Sequence, residues 1–327
     1  MDTEGFRAYL LERKLPEEQL EPFIALIERF EEFLGEAGHT DPADSASPGE
    51  VNAFSARLIA EGDNTWDNYI ALLRYASFAK NRPFFVAVME YLDGHEALGN
   101  LHVKVGETLG GAARDEIFEG IDVPPLGTPN TEKARLTQPV IERLESAAPE
   151  ACHAILSGGL RDLKDEWYED AKAKFEEAGS VDAFLEQRRE SFLAELEKHR
   201  REGTWWYVQV ITDEVIDFVR RHPEVSTGIR EGNVVYEAKI PYMAKEYLAE
   251  TDERMKRYYY CHCPWVRESI RSGDAEVSPT FCNCSSAFHR KTWEVIFGQP
   301  LRAEVVETVL RGDPWCKFAI HLPEGVV

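Results

Sequence analysis

The chain has 327 residues, a formal net charge of -22, 43% hydrophobic residues and 11% aromatics. That is enough apolar material for two domains of ordinary size, while so negative a chain is not drawn to phosphate backbones or anionic membranes, which attract clustered Lys and Arg. No run approaches the roughly 20 apolar residues of a membrane helix, and Met1 to Leu10 has neither the basic start nor the apolar run of a secretory signal; a cytoplasmic protein without nucleic-acid or membrane partners is expected.

The acid is concentrated at the front: residues 1 to 120 hold 10 Lys and Arg against 23 Asp and Glu, whereas residues 252 to 327 hold 10 of each. The front also reads as helical. Phe23, Ile24, Ile27, Phe30, Phe33 and Leu34 follow the i, i+3, i+4, i+7 spacing of a buried stripe, started at Pro16-Glu17-Glu18 and stopped near Gly38. A second helix follows Ser47-Pro48-Gly49-Glu50 and buries Val51, Phe54, Leu58 and Ile59. A third starts at Asn64 or Thr65, with Trp66, Tyr69, Ile70, Leu73, Tyr75 and Ala76 as its apolar positions. The order of these helices, around FEEFL, VNAFSARLIAEG and NTWDNYIALLRYASFAKN, resembles the core-binding domain of tyrosine recombinases over about residues 3 to 92. That family clasps DNA with a basic face. Here the segment is acidic, so DNA binding does not carry over, and a packing or dimerisation module, with a homodimer as its product, is the simpler expectation.

The stretch IDVPPLGTPNT (121 to 131) has no periodicity and concentrates Pro, Gly, Thr and Asn, which predicts a boundary: a helical bundle over 1–125 and an α+β domain over 126–327. Residues 132 to 201 read as charged helices with Phe184, Phe192, Leu193 and Leu196 inward. TDEVIDFVRRH is a helix capped by Thr212, and VSTGI and NVVYEAKI form a hairpin across Arg230-Glu231-Gly232-Asn233. PYMAKEYLAETDERMKR is helical, YYYC is β-prone, CPWVRESIRSG is a short helix with Pro264 in its first turn, and CSSAFHRKTWEVIFG is a helix ended by Gly298. LRAEVVETVLRGDPWCKFAIHLP alternates about Gly312-Asp313-Pro314 as a terminal hairpin. The predicted fold class is thus α+β, an all-helical N-terminal bundle followed by an α+β domain with a cysteine-rich metal site.

Five of the six cysteines, Cys261, Cys263, Cys282, Cys284 and Cys316, fall in the last quarter; only Cys152 lies outside, in ACHAILSG, where it reads as a buried small hydrophobe. Clustering in a large chain points to metal or redox chemistry rather than a disulfide scaffold. Zinc takes four thiolate or imidazole ligands, usually two to four residues apart within each knuckle; the C-x-C pairs are tighter, so three or four thiolates plus a histidine or water are expected. An iron-sulfur cluster suits the thiolates, though C-x-C matches neither common ferredoxin spacing, and a redox dithiol would need one exposed cysteine of low pKa. His289, five residues after Cys284 on one helix, is a further candidate ligand. His262, between two candidate ligands, faces opposite to them in an extended segment and is the candidate acid/base.

FCNCSSAFHRKTWEVIFGQPLRAEVVETVLRGDPWCKFAIHLP resembles the C-terminal half of the 4-vinyl-reductase-like domain, in which a cysteine-bearing helix leads to a hairpin ending Gly-Asp-x-x-Cys-x-Phe, here Gly312, Asp313, Cys316 and Phe318. It is distantly similar to aminothiazoline carboxylate hydrolases at the same end. The resemblance covers about residues 281 to 323 and implies Cys282 and Cys316 as zinc ligands. It departs at Thr308, where metal-binding members place another cysteine; Cys261, Cys263 and Cys284 would then complete the shell, with Glu307 as a further candidate.

No phosphate loop, G-x-G-x-x-G, H-E-x-x-H or G-x-S-x-G is present, so nucleotide use and the commonest hydrolase mechanisms lack support. Trp205, Trp206, Tyr207, the tyrosines 258 to 260 and Trp265 would suit a small-molecule pocket or a core. Two functions follow. One is a zinc-dependent hydrolase or lyase acting on a small molecule, with an activated water on the metal and His262 moving protons. The other is a small-molecule binding or sensing protein whose zinc is structural.

Overall fold

The computed structural model describes residues 1–39 and 42–326 and is a mixture of many helices and small antiparallel sheets. Two compact units are present: Met1–His95 with Pro124–Lys133, and Glu96–Val123 with Ala134–Val327. The chain therefore passes between them three times, once on either side of the predicted boundary loop and once within it. Among the described residues no helix is long and apolar enough to cross a membrane.

The first unit holds α1 (Thr3–Glu12), α2 (Glu17–Glu36), α3 (Pro48–Glu61), α4 (Trp66–Phe78) and α5 (Arg82–Leu92). Its helices begin where the sequence places caps. Ser47 and Glu50 form a reciprocal capping box on α3, and the Thr65 and Asn81 side chains accept from the backbones of Asn68 and Phe84, satisfying N–H groups that a helix start leaves unpaired. The stripe of α2 meets α3 and α5 through Phe30, whose ring lies 5.0 Å from Phe54 and 5.4 Å from Phe84. Each such fully buried ring contributes roughly 2 to 3 kcal/mol of transfer free energy.

The second unit holds α6 (Ala97–Leu109), α7 (Gly111–Ile117), α8 (from Asn130 to Ala147, entering from the first unit), α9 (Pro149–Ser157), α10 (Glu169–Ala178) and α11 (Val181–Glu202). A two-stranded ribbon, β1 (Trp205–Trp206) and β2 (Gln209–Val210), precedes α12 (Asp213–Arg221), which is capped by Thr212 as expected. The hairpin β3 (Ile229–Glu231) and β4 (Val234–Ala238) is followed by α13 (Ala244–Ala249), α14 (Glu253–Tyr260), α15 (Arg267–Ser272) and α16 (Asn283–Phe297), then β5 (Arg302–Glu307) and β6 (Lys317–His321). The four-stranded sheet runs β3-β4-β6-β5, antiparallel throughout. The two predicted hairpins thus meet through β4 and β6, placing Glu237 opposite Phe318 and Val235 opposite Ile320.

One local prediction is overturned. YYYC is not a strand: the three tyrosines form the last turn of α14, started by Asp252, whose carboxylate accepts from Met255 N. Three aromatics in a row suit either conformation, and the cap together with the burial of Tyr260 decides for the helix.

Candidate functional site

The thiols are positioned by element ends. Cys261 terminates α14 in extended geometry, its N–H still bonded to Arg257 O. Two residues on, the Cys263 carbonyl accepts from Arg267 N at 2.9 Å, so the turn 264–266 folds back over it. Cys282 ends a short 3-10 turn, Pro279–Cys282, that runs straight into α16. Cys316 immediately precedes β6, and its carbonyl accepts from Lys239 N at 3.1 Å, which ties it to the end of β4.

These four thiols belong to one part of the second unit, Cys261 and Cys316 buried and Cys263 and Cys282 partly buried, and they act electrostatically on one another. Cys261 is 4% exposed and Cys316 9% exposed. Burial pushes the Cys261 thiol well up, and Cys316, Cys263 and Cys282 push it further. Burial likewise raises the Cys282 thiol, with Cys316 adding and a hydrogen bond to Thr308 opposing. Thr308 belongs to the same group: its Oγ1 lies 3.1 Å from Cys282 Sγ and also caps the turn at Leu310 N, while Asp313 accepts its backbone N–H at 2.8 Å. The position at which the resemblance expects a further cysteine is therefore beside the thiols.

Cys284 has other neighbours. Burial raises its thiol, opposed by a hydrogen bond with the Leu160 backbone and by Arg161 and Lys239. All six cysteines are thiols. Among the described residues no group of three or more His, Cys, Asp or Glu side chains is placed to hold a metal ion.

Neither histidine joins the thiols. His262 Nε2 lies 2.6 Å from the Ile240 carbonyl, with the Tyr242 ring edge-on at 5.3 Å. A carbonyl only accepts, so Nε2 carries the proton and Nδ1 is the lone-pair nitrogen. Burial, with Lys239 adding to it, lowers the His262 pKa to about 3. His289, 7% exposed, stacks on Phe318 at 4.3 Å and sets Nδ1 3.2 Å from Glu237 Oε1, off the direction of a straight hydrogen bond; Nε2 meets no partner. Burial works to raise the Glu237 carboxyl, but His289 and Arg188 outweigh it and leave it below its ordinary value.

The strand register explains this second cluster. Glu237 and Phe318 are cross-strand partners on the sheet face that α16 covers, so a side chain one turn into that helix's middle reaches both. Lys239, two residues along the same face, sends Nζ to Ser285 Oγ at 3.3 Å and lies 5.8 Å from the Phe288 and Phe318 ring centres. Sequence reasoning passed over Glu237, Lys239 and Arg188. The one available signal was a charge in NVVYEAKI at the strand phase of Val235, which is fully buried.

A separate surface cavity of about 510 Å³ lies among His153, Ser157, Asn283, Arg290 and the stretch Leu301 to Val305. No protein-family model, no curated protein and no solved structure matches the chain.

Proposed function

We propose that the second unit is a small-molecule-binding domain fixed by one structural zinc ion on Cys261, Cys263, Cys282 and Cys316. The observation that supports this reading is that four thiols from three separated segments act electrostatically on one another. Four sulfurs complete zinc's tetrahedral shell and leave no position for water. The donor set fits the ion in kind: thiolates are soft, and a hydrogen-bonding hydroxyl, Thr308, stands beside Cys282 as an outer partner. His262, the proton mover of a catalytic zinc site, is instead committed to the Ile240 carbonyl.

A second reading, a hydrolase or lyase, is favoured by the Glu237–His289 contact, because a carboxylate behind a buried imidazole is a recurrent acid–base arrangement. Its proton chemistry would rest on these side chains rather than on the thiols.

Elemental analysis of the purified full chain tests the reading, with one zinc per chain expected. Iron in place of zinc, with a coloured protein, would transfer the same four thiolates to a cluster; neither metal would refute the centre. In a cobalt-substituted sample four-thiolate coordination is expected, and an exchangeable water on the ion would revive the catalytic-zinc reading.

A further inference from the structure

The second cluster holds a cation that makes no direct ion pair. Lys239 is half-buried, and among the described residues no carboxylate lies within ion-pair distance of its Nζ, whose only hydrogen-bond partner is the Ser285 hydroxyl. Glu237, its neighbour along the strand, is directed to His289 and Arg188 instead. The Lys239 charge acts on Glu237 from a distance and leaves Nζ able to take a direct anionic partner. Beside it stands a second unmet group, the lone Nε2 of His289, in a side chain more than nine-tenths buried. Buried polar groups are nearly always hydrogen-bonded, so one without a partner calls for an explanation.

The remaining walls are aromatic. Phe318 stacks on His289, Phe288 meets the same imidazole at 5.6 Å, and both rings flank Nζ. Phe288 is 41% exposed, so this side of the cluster opens to the surface. A cation, a nitrogen without a partner and one exposed phenyl ring define what would fit: a negative group for Lys239, a flat apolar body against Phe288, which Phe318 and His289 back from within, and an O–H or N–H for His289 Nε2, with the Glu237 carboxylate facing Nδ1.

We propose that Lys239, Ser285, Phe288, His289 and Phe318 form the small-molecule site of the second unit and that its ligand is a small aromatic or similarly flat organic acid carrying a hydrogen-bond donor, with Glu237 as the positioning residue for His289. This deepens the proposed function and rests on its small-molecule part alone. The site and the thiol centre use different residues.

The test is calorimetric titration of the full-length protein as purified, using salicylate, benzoate and inorganic phosphate as probes. Saturable salicylate binding is expected, with benzoate weaker because it offers nothing to Nε2, and phosphate weaker still. Lys239→Gln should weaken salicylate roughly tenfold or more, whereas Lys239→Arg retains it within a few-fold; His289→Gln should narrow the gap between salicylate and benzoate. Phe288→Ala, at an exposed ring, serves if the Lys239 variants do not fold and should also weaken both aromatic acids. No saturable binding of either aromatic acid up to about 10 mM, unchanged affinity in both Lys239→Gln and Phe288→Ala, or phosphate binding as tightly as salicylate would overturn the proposal. Metal content measured on the same samples separates the two readings: zinc-replete protein that ignores salicylate sinks this one alone, and zinc-free protein that binds it sinks only the thiol centre.

Discussion

Two buried polar groups, one in each unit, show how differently the fold treats polarity. In the helical unit Ser55 Oγ donates to the Gly127 carbonyl at 2.8 Å, so the Tyr69 hydroxyl 2.7 Å away donates to Ser55, and both side chains are fully buried. Every hydrogen in that chain has an acceptor, as expected of a polar network that only locks a loop onto helices. In the second unit His289 is almost as deeply buried, yet Glu237 meets it obliquely and Nε2 meets nothing. An orphan alone does not mark a site, since the Asn130 amide, the Gln209 amide and Trp293 Nε1 are also without partners. What distinguishes His289 is its company of a carboxylate, a lysine without a direct ion pair and two rings, and unfinished polar clusters of that composition are where function concentrates.

The comparison is sharpened most by the thiols. Cys316→Ser should release the metal and destabilise the second unit by on the order of 5 kcal/mol or more, because ion binding and folding are then the same free energy. Metal analysis with urea denaturation checks this, and full metal content in the variant would remove Cys316 from the shell. Gly127→Ala comes next, acting in the helical unit. Gly127 has φ +98°, and a Cβ there would overlap Tyr69 Oη and lie 2.6 Å from Ser55 Oγ, so a loss of about 3 kcal/mol is expected. A urea midpoint close to wild type would show that the loop is not locked as described.

Tyr69→Phe and His289→Gln then form a matched pair. The first removes one member of a satisfied network and should cost about 1 to 2 kcal/mol. The second removes an imidazole that makes no straight hydrogen bond, and should change stability by less than about 1 kcal/mol. Equal losses in the two variants would mean that His289 is as structural as Tyr69.

Much of this fold was legible because local chemistry announces itself. Ser47, Thr65 and Thr212 stand where helices start, Gly298 where α16 stops, and strands pair on both sides of Gly232 and of Gly312. The exception is YYYC, where the local residues suit both conformations and the cap six residues upstream, Asp252, decides. Part of the candidate site was legible as well, since cysteines are scarce and their clustering is visible without a fold. The place of Cys284 was not, for it depends on how α16 is rotated against Leu160 and Arg161. Nor was the His289 cluster, because Glu237 and Lys239 acquire their partners only through the β4–β6 register and the helix laid across it.

The smallest effect returns to the helical unit, where electrostatics should serve only to finish a helix. Glu50 closes the capping box, its Oε2 accepting from Ser47 N and Ser47 Oγ at 2.8 Å each, with His39 Nδ1 2.7 Å from Oε1. Hydrogen bonds from the Ser47 backbone first, then from its hydroxyl, with His39 adding, hold the carboxyl below its ordinary value against burial. A carboxyl whose pKa is lower folded than unfolded contributes stability that is fully present above the unfolded value and is lost as pH falls through the folded one. Glu50→Gln has no such charge at any pH. With the side chain 30% exposed, the deficit at neutral pH should be no more than about 0.5 to 1 kcal/mol. It should then close as pH drops below the ordinary carboxylate range, so urea midpoints of the two proteins measured at neutral and acidic pH should converge. A gap that stays constant across that range would mean that the box works through shape alone and that the Glu50 charge contributes nothing to the helix start.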